Sequence, residues 1–349
     1  MTPRREPSAP AILSARFTPP QPVILRRMSP RLPATLGLLI SLLFAHAALA
    51  QDGAVIEPTH ADVRYGPHDR NVLDVYQAET KAPAPVLIHF HGGGWVMGDK
   101  RPIGAAPFIR NGITVISANY RFTRGHADAA SYPAPMEDGA RVVQFVRSKA
   151  AEWNIDPDRI ALTGGSAGAV MSMWIAYRDD MADPDSEDPV ARQSTRVTCI
   201  IPMGGPTTLD PDLILKRVGG NPQIHPALLP FFGVESIDQL RTDEAKRKLV
   251  ADASPITHVS PDDPPTFMLY GFPLGGTPLP ENADGNLSIH HPEFGVILKE
   301  KLDAAGVENV LQAKDDGSDP AAMWLFLLEH LRPENYVPAP AATTAPVES

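Results

Sequence analysis

The run RIALTGGSAGAVMSMWIAYR, residues 159–178, limits what this chain can fold into more than any other stretch. Aliphatic residues stop at Gly164-Gly165-Ser166-Ala167-Gly168, and an apolar segment without further breakers follows. A buried-type strand that turns through small residues directly into a helix is half of a βαβ unit, which needs parallel partner strands and covering helices. The pentapeptide has the G-x-S-x-G spacing that sets a serine hydroxyl out on a strained strand-to-helix turn. Its positions two residues either side of the serine must be small. The helix that starts there points its dipole and free N–H groups at any charge developing beside Ser166.

The remaining segments continue the alternation. HADVRYG and NVLDVYQ, around a Gly-Pro-His-Asp turn, have period-2 patterning and predict an opening hairpin. APVLIHF (84–90), ITVISANY (113–120), RIALTG (159–164), VTCIIPMGG (197–205), PTFMLYG (265–271) and ENVLQAK (308–314) predict strands. Helices are predicted over 135–153, 167–178, 294–306 and 320–331. Strands alternating with helices imply an α/β fold with a doubly wound, mostly parallel sheet. Residues 207–258 are longer than a crossover requires, and their Pro, Gly and Leu content predicts a small helical cap insertion.

The ends have a different character. ATLGLLISLLFAHAALA (34–50), preceded by Arg31 and closing on an A-x-A pattern, predicts a secretory signal peptide and an exported, periplasmic or extracellular protein. Met28 is then the more sensible start. The span is short for a membrane helix, so no membrane span is expected in the mature chain. The α/β domain is expected over residues 51–332, and the Pro- and Ala-rich residues 333–349 are expected to be disordered. Without residues 1–50 the count is 25 Lys+Arg against 40 Asp+Glu, a formal charge of about −15. Such an acidic chain repels a polyanion, which argues against nucleic acid as a partner. Cys199, the only cysteine, lies in RVTCIIPM and reads as core.

A second motif accompanies the serine turn. His91-Gly92-Gly93-Gly94-Trp95 follows the 84–90 strand, and successive glycines let backbone N–H groups approach a substrate oxygen. Together with the N–H of Ala167 they can form an oxyanion hole, worth about 3–4 kcal/mol in a transition state.

Taken together, HFHGGGWVMGDK, VISANYRF, YPAPMEDGARVVQFVRSKAAEWNIDPDRIALTGGSAGA and ASPITHVSPDDPPTFMLYG resemble secreted α/β-hydrolase esterases. The similarity is to the feruloyl-esterase-like and hormone-sensitive-lipase-like carboxylesterases, and it extends over about residues 60–272. The resemblance implies a serine esterase with no cofactor and no metal, acting on small-molecule or carbohydrate esters. It makes Ser166 the nucleophile, Gly92, Gly93 and Ala167 the oxyanion donors, and Tyr120, Arg121 and Asp138 architectural. Ala169 stands where the family commonly has another glycine, a departure of small expected consequence.

The sequence leaves the resemblance where a base and an acid are needed. The loop after FMLYG lacks the family's His-Gly-Asp-x-Asp context, and the loop after NVLQAK is DDGSDP, without a histidine. His330 stands far along a helix and makes a poor base. Three arrangements remain open. In the first, His290 or His291 is the base and Asp315 or Asp316 orients it, since triads are defined by geometry and not by chain order. In the second, Asp284 is the acid for the same histidines. In the third, the chain has lost its base and is an impaired homologue that binds a carbohydrate or a partner. The pair His290-His291 is also compatible with plain loop polarity before a helix that Pro292 opens. No Cys or carboxylate stands at metal-ligand spacing beside it.

Overall fold

A computed structural model describes residues 56–331 except 102, 222–224 and 320. The expected signal peptide, the Met28 start and the tail at 333–349 lie outside the described residues. Eight strands form one sheet: β1 His60–Arg64, β2 Val72–Tyr76, β3 Ala84–Phe90, β4 Thr114–Ala118, β5 Ile155–Gly165, β6 Cys199–Met203, β7 Thr266–Tyr270 and β8 Asn309–Ala313. Their order is β1-β2-β4-β3-β5-β6-β7-β8. Strands β1 and β2 form the expected hairpin, β2 runs antiparallel to β4, and every pair from β4 to β8 is parallel. With helices on both faces this is the α/β-hydrolase architecture.

Period 2 in the strands sorts side chains to the two faces. Val86 and Ile88 of β3 join Leu162, Val143, Met171 and Leu298 in one apolar cluster, while Leu87 joins Ala161, Phe108, Phe267 and Phe326 in the other. The first face is covered by α2 Ala134–Ser148, α3 Ala167–Tyr177 and, further along, α9 Glu293–Ala305; the second by α1 Ala106–Arg110 and α10 Ala322–Leu331. Helix α3 is buried at every residue, which explains why its sequence has no polar stripe. Cys199 is fully buried in the second cluster, and burial pushes its thiol up to about 12.

Between β6 and β7 the chain forms four short helices, α4 Pro211–Arg217, α5 Leu228–Phe232, α6 Ile237–Thr242 and α7 Glu244–Ala253, and then a 3-10 turn at Pro255–Thr257. Asp210 and Asp243 cap α4 and α7 with their carboxylates, and Ser236 and Gln239 form a capping box on α6. Two helices were not expected from the sequence. One is α1; the other is α8 Gly285–His290, which replaces the loop predicted after β7. Short helices with few apolar positions give little periodic signal, because tertiary contacts stabilise them.

Arg121 and Asp138 act on the frame, not on a ligand. The guanidinium meets the Asp138 carboxylate from Nε at 2.9 Å and from Nη2 at 2.8 Å, and the Arg121 backbone N–H adds a bond of 2.9 Å. The two side chains are 15% and 5% exposed, so removing one leaves the other charged and dehydrated. Asp138→Ala is therefore expected to lower unfolding stability by about 3–5 kcal/mol. Urea unfolding checks this, and a loss below 1 kcal/mol would refute the buried-pair account.

Candidate active site

The serine turn sits at the carboxyl end of β5. Ser166 has φ 53° and ψ −116°, a backbone conformation that L-residues rarely adopt. It is held there from both sides: its N–H donates to the Met203 carbonyl at 2.9 Å, and its carbonyl accepts from Val170 N–H at 3.1 Å. The two outer glycines of the motif are sterically required. A Cβ on Gly168 would lie 2.0 Å from the Phe90 carbonyl oxygen, and one on Gly164 would lie 2.6 Å from the same atom. Gly165 would accept a Cβ with nothing within 4 Å, so the inner glycine is not forced by packing. At Ala169 the extra methyl is accommodated because position 205 is glycine; a Cβ there would come within 2.5 Å of the Ala169 Cβ.

The glycine loop after β3 lies beside this turn. A Cβ on Gly92 would be 3.5 Å from Ser166 Cβ and 2.9 Å from the Gly165 carbonyl, so only glycine fits. Gly93, at φ +108°, turns the loop, and its carbonyl accepts from the N–H groups of Val96 and Met97. None of the turn and loop hydrogen bonds among the described residues uses the N–H of Gly92, Gly93 or Ala167 as donor. These are the three donors expected from the sequence: Gly92 packs against the Ser166 side chain, Gly93 follows it in the loop, and Ala167 follows Ser166 in the chain.

The loop's position is fixed by polar groups at both ends. Tyr120 donates its hydroxyl to the His91 carbonyl at 2.7 Å and stacks on the His91 ring at 4.4 Å between centroids. Burial pushes the His91 imidazole down to about 4, so this ring is neutral. At the far end Lys100 Nζ, 5% exposed, reaches the fully buried Asp74 carboxylate at 3.0 Å, and Ser117 Oγ donates to the Lys100 carbonyl at 2.7 Å. Asp99 accepts from the Asn119 amide at 2.8 Å.

The histidine beside the serine is His290. Its Nε2 lies 2.9 Å from Ser166 Oγ. Its Nδ1 lies 3.0 Å from the Asn286 carbonyl oxygen and 2.8 Å from Asn286 Oδ1. A backbone carbonyl can only accept, so Nδ1 carries the proton and Nε2 offers its lone pair to the serine hydroxyl. Burial holds the His290 imidazole below its usual 6.5, partly offset by the Asn286 carbonyl, and so keeps the ring neutral at pH 7. This pair of contacts can draw a proton from Ser166 and return it later.

The other expected site residues are elsewhere. His291 is not near the serine: its Nε2 faces the Gly275 carbonyl at 3.1 Å and its Nδ1 accepts from Glu293 N–H at 3.0 Å. Asp284 does not orient the base; it caps α8, taking the Leu287 N–H at 3.0 Å. Asp316 is used by the turn after β8, accepting from the Ala313 and Ser318 N–H groups, and Asp315 is in the same turn at φ +60°. Neither hydrogen-bonds His290. His330 meets Glu308 at 3.3 Å, and His89 lies in β3 beside Ser117. The third residue of the site is Asn286, which the sequence reading did not name. Its signal was present in NLSIH: positions four apart on one helix face each other. The arrangement built on a missing base loses its premise, because an imidazole stands against the serine.

Among the described residues, no three His, Cys, Asp or Glu side chains gather as metal ligands, and no helix is long and apolar enough to cross a membrane. A groove of about 460 Å³ lined by Leu215, Gly219, Gly220, Arg241 and Leu279 includes neither Ser166 nor His290 in its lining.

The BD-FAE family model matches residues 73–272, more than half of the chain and both glycine motifs. LipM of Mycobacterium tuberculosis, named a probable carboxylic ester hydrolase, is 32% identical over 218 residues, which is 60% of this chain and 47% of that protein. Esterase LipQ of the same organism is 30% identical, over 60% of this chain and 48% of its own length. The chain thus spans about half the length of these curated relatives. Among solved structures, a truncated carbohydrate esterase from gut microbiota aligns with TM-score 0.63 at 22% identity, over 80% of this chain and 98% of that one. That likeness shows the α/β-hydrolase fold.

Strain at Ser166 leads to a stability prediction. Ser166→Gly is expected to be more stable than Ser166→Ala by about 1 kcal/mol or more, because only glycine adopts this backbone without cost. Parallel urea unfolding of the two variants checks this. An alanine variant as stable as the glycine one would mean the turn is unstrained.

Proposed function

This chain belongs to the BD-FAE family of α/β-hydrolase-fold proteins, and on that footing we propose that it hydrolyses carboxylic esters through an acyl-enzyme on Ser166. The observation that carries the proposal is the 2.9 Å contact between His290 Nε2 and the hydroxyl of a serine held on a strained elbow. The imidazole takes the Ser166 proton as Oγ bonds to the ester carbonyl carbon. The oxyanion of the tetrahedral intermediate is met by the N–H groups of Ala167, Gly92 and Gly93. On collapse the C–O bond to the alcohol breaks, and His290 returns the proton to the departing oxygen. A water then gives one proton to His290 as its oxygen bonds to the acyl carbon; on collapse the bond from that carbon to Oγ breaks, His290 returns the proton to Ser166 Oγ, and the carboxylic acid leaves. Throughout, Asn286 holds the ring through Nδ1.

The name of the gut carbohydrate esterase, the resemblance to feruloyl-esterase-like enzymes and the predicted signal peptide together support an exported enzyme that removes acyl groups from carbohydrates. Asn286 is neutral, so it orients the imidazolium without offsetting its charge as a carboxylate would.

A fluorophosphonate probe tests the assignment. Wild type should be labelled, Ser166→Ala should not, and His290→Ala should be labelled at least about 10³-fold more slowly. His291→Ala should keep its labelling rate within a few-fold. Folded wild-type protein that resists the probe would overturn the esterase reading, and equal rates for both histidine variants would overturn the base.

The base must be neutral to act, so kcat/KM should fall at acid pH through a pKa below that of an ordinary imidazole and level off once the pH is well above it. Asn286→Asp would place a carboxylate against Nδ1, favour the imidazolium and move that acid limb to higher pH. A pH–rate profile in which the limb stays in place would argue that Asn286 does not touch the base during turnover.

A further inference from the structure

Arg70 stands in the turn between β1 and β2, outside both glycine motifs, yet its guanidinium lies against the glycine loop. The half-buried side chain sits over the Phe122 ring, with Cζ 3.7 Å from the ring centroid. Nε donates to the Tyr120 carbonyl at 2.9 Å, and Nη2 reaches the Gly98 carbonyl at 3.1 Å and His91 Nε2 at 3.2 Å. A guanidinium has donors and no acceptor, so His91 Nε2 must supply the lone pair. The ring is neutral, and its single proton is therefore on Nδ1. The Gly92 carbonyl oxygen, 2.7 Å from Nδ1, accepts it. The Tyr120 hydroxyl, 3.2 Å from Nδ1, donates its own proton to the His91 carbonyl and so faces Nδ1 as a second acceptor. Gly98 leaves the room for this contact: at φ +109°, a Cβ there would come within 2.4 Å of Nδ1 and 2.6 Å of the Gly92 oxygen.

The Gly92 carbonyl and the Gly93 N–H belong to one peptide group. That peptide is trans, so its N–H points opposite to its carbonyl. Fixing the oxygen against Nδ1 therefore fixes the direction of a candidate oxyanion donor. A hydrogen bond accepted by the carbonyl also polarises the peptide and strengthens its N–H as a donor. In the other tautomer a lone pair on Nδ1 would face the Gly92 oxygen and repel it. Glycine on both sides of the peptide leaves little else to resist its rotation. We propose that Arg70 is a positioning residue for ester hydrolysis: by holding His91 in the Nδ1–H tautomer, it aims the Gly93 N–H at the oxyanion. This deepens the esterase proposal and rests on it, adding a residue that neither glycine motif contains.

Kinetics on phenyl acetate and NMR of the histidine rings test this in the full chain. The oxyanion donors act in the transition state, so Arg70→Met should lower kcat and kcat/KM equally, by about tenfold, and leave KM within about twofold. In His91→Asn the side-chain amide can donate from the place of Nδ1 with no tautomer to choose. Adding Arg70→Met to that variant should then cost less than about twofold. Equal losses in the two backgrounds would overturn the proposal and leave Arg70 a structural support only. The tautomer itself is read without turnover, in protein carrying nitrogen-labelled histidine. Ring signals that vanish in His91→Asn belong to His91, and their couplings to the ring protons show which nitrogen is protonated. Wild type should show Nδ1–H, and Arg70→Met should move the ring towards Nε2–H. Nε2–H in wild type, a result that needs no variant at Arg70, would overturn the proposal, as would Nδ1–H fully retained in Arg70→Met. Wild type inert towards both phenyl acetate and the fluorophosphonate would instead defeat the esterase reading, and the tautomer comparison would still decide whether Arg70 sets His91.

Discussion

Helix α3 approaches the sheet so closely at Gly168 that the Phe90 carbonyl oxygen occupies the space of a side chain. From this contact the rest of the site follows. It sets the angle at which α3 leaves β5, and the strained backbone of Ser166 is the joint between them. Because α3 is buried along its whole length and β5 is central, the joint cannot relax without opening the core. Strain of about 1–3 kcal/mol is sustainable under such constraint. The same approach brings the end of β3, and so the glycine loop, beside the serine. One backbone contact thus brings the hydroxyl and its candidate oxyanion donors together.

The loop that carries those donors would be soft by composition, with three successive glycines. Its order comes from polar anchors placed at its ends. The Tyr120–His91 stack and the Lys100–Asp74 pair are both buried and hydrogen-bonded, so neither is screened by solvent. Between them the glycines keep their N–H groups free for a ligand. Phe231 on Trp95 then ties the cap to this loop, so that changes in the cap alter the donors' surroundings.

The sheet, the hairpin, the elbow and the glycine loop were legible because each has a period or a breaker pattern that only one local structure satisfies. The elbow could be read from RIALTGGSAGA since its two outer glycines, Gly164 and Gly168, are imposed by close backbone approach, a constraint written in the residues themselves. The base was only half legible. IHHP offered two adjacent histidines, and neighbouring positions at a helix end point in different directions, so nothing short of the backbone path decides between them. His290 ends α8 and faces Ser166, whereas His291 turns to the Gly275 carbonyl. The orienting group was not legible because carboxylates were sought at strand ends. Asp284 and Asp316 spend their oxygens on local N–H groups, a use that aspartate finds wherever a turn or helix begins, and Asp315 sits in the same turn as Asp316 at positive φ. Asn286, the second residue of a six-residue helix that the sequence did not announce, carried no such marker.

Those local uses explain how a short helix can hold a base. Helix α8 is too short to be stable alone, and Asp284 caps its first turn with both its carboxylate and, through Ser288 Oγ, its carbonyl. The strand-like strap before it is bound in turn to the cap: Leu279 donates to the Val218 carbonyl at 2.8 Å and accepts from Gly220 N–H at 2.9 Å. The cap end of α4 therefore fixes the strap, the strap fixes α8, and α8 presents both His290 and the group that orients it. In this design orienter and base share one rigid turn, which makes their mutual geometry independent of how two separate loops happen to meet. An asparagine suits that position: at i and i+4 its amide reaches Nδ1 alongside the backbone carbonyl, and it brings no second negative charge into a site whose transition state already carries an oxyanion. The acid sought among the aspartates is thus replaced by a neutral amide, while one of those aspartates builds the helix on which it stands.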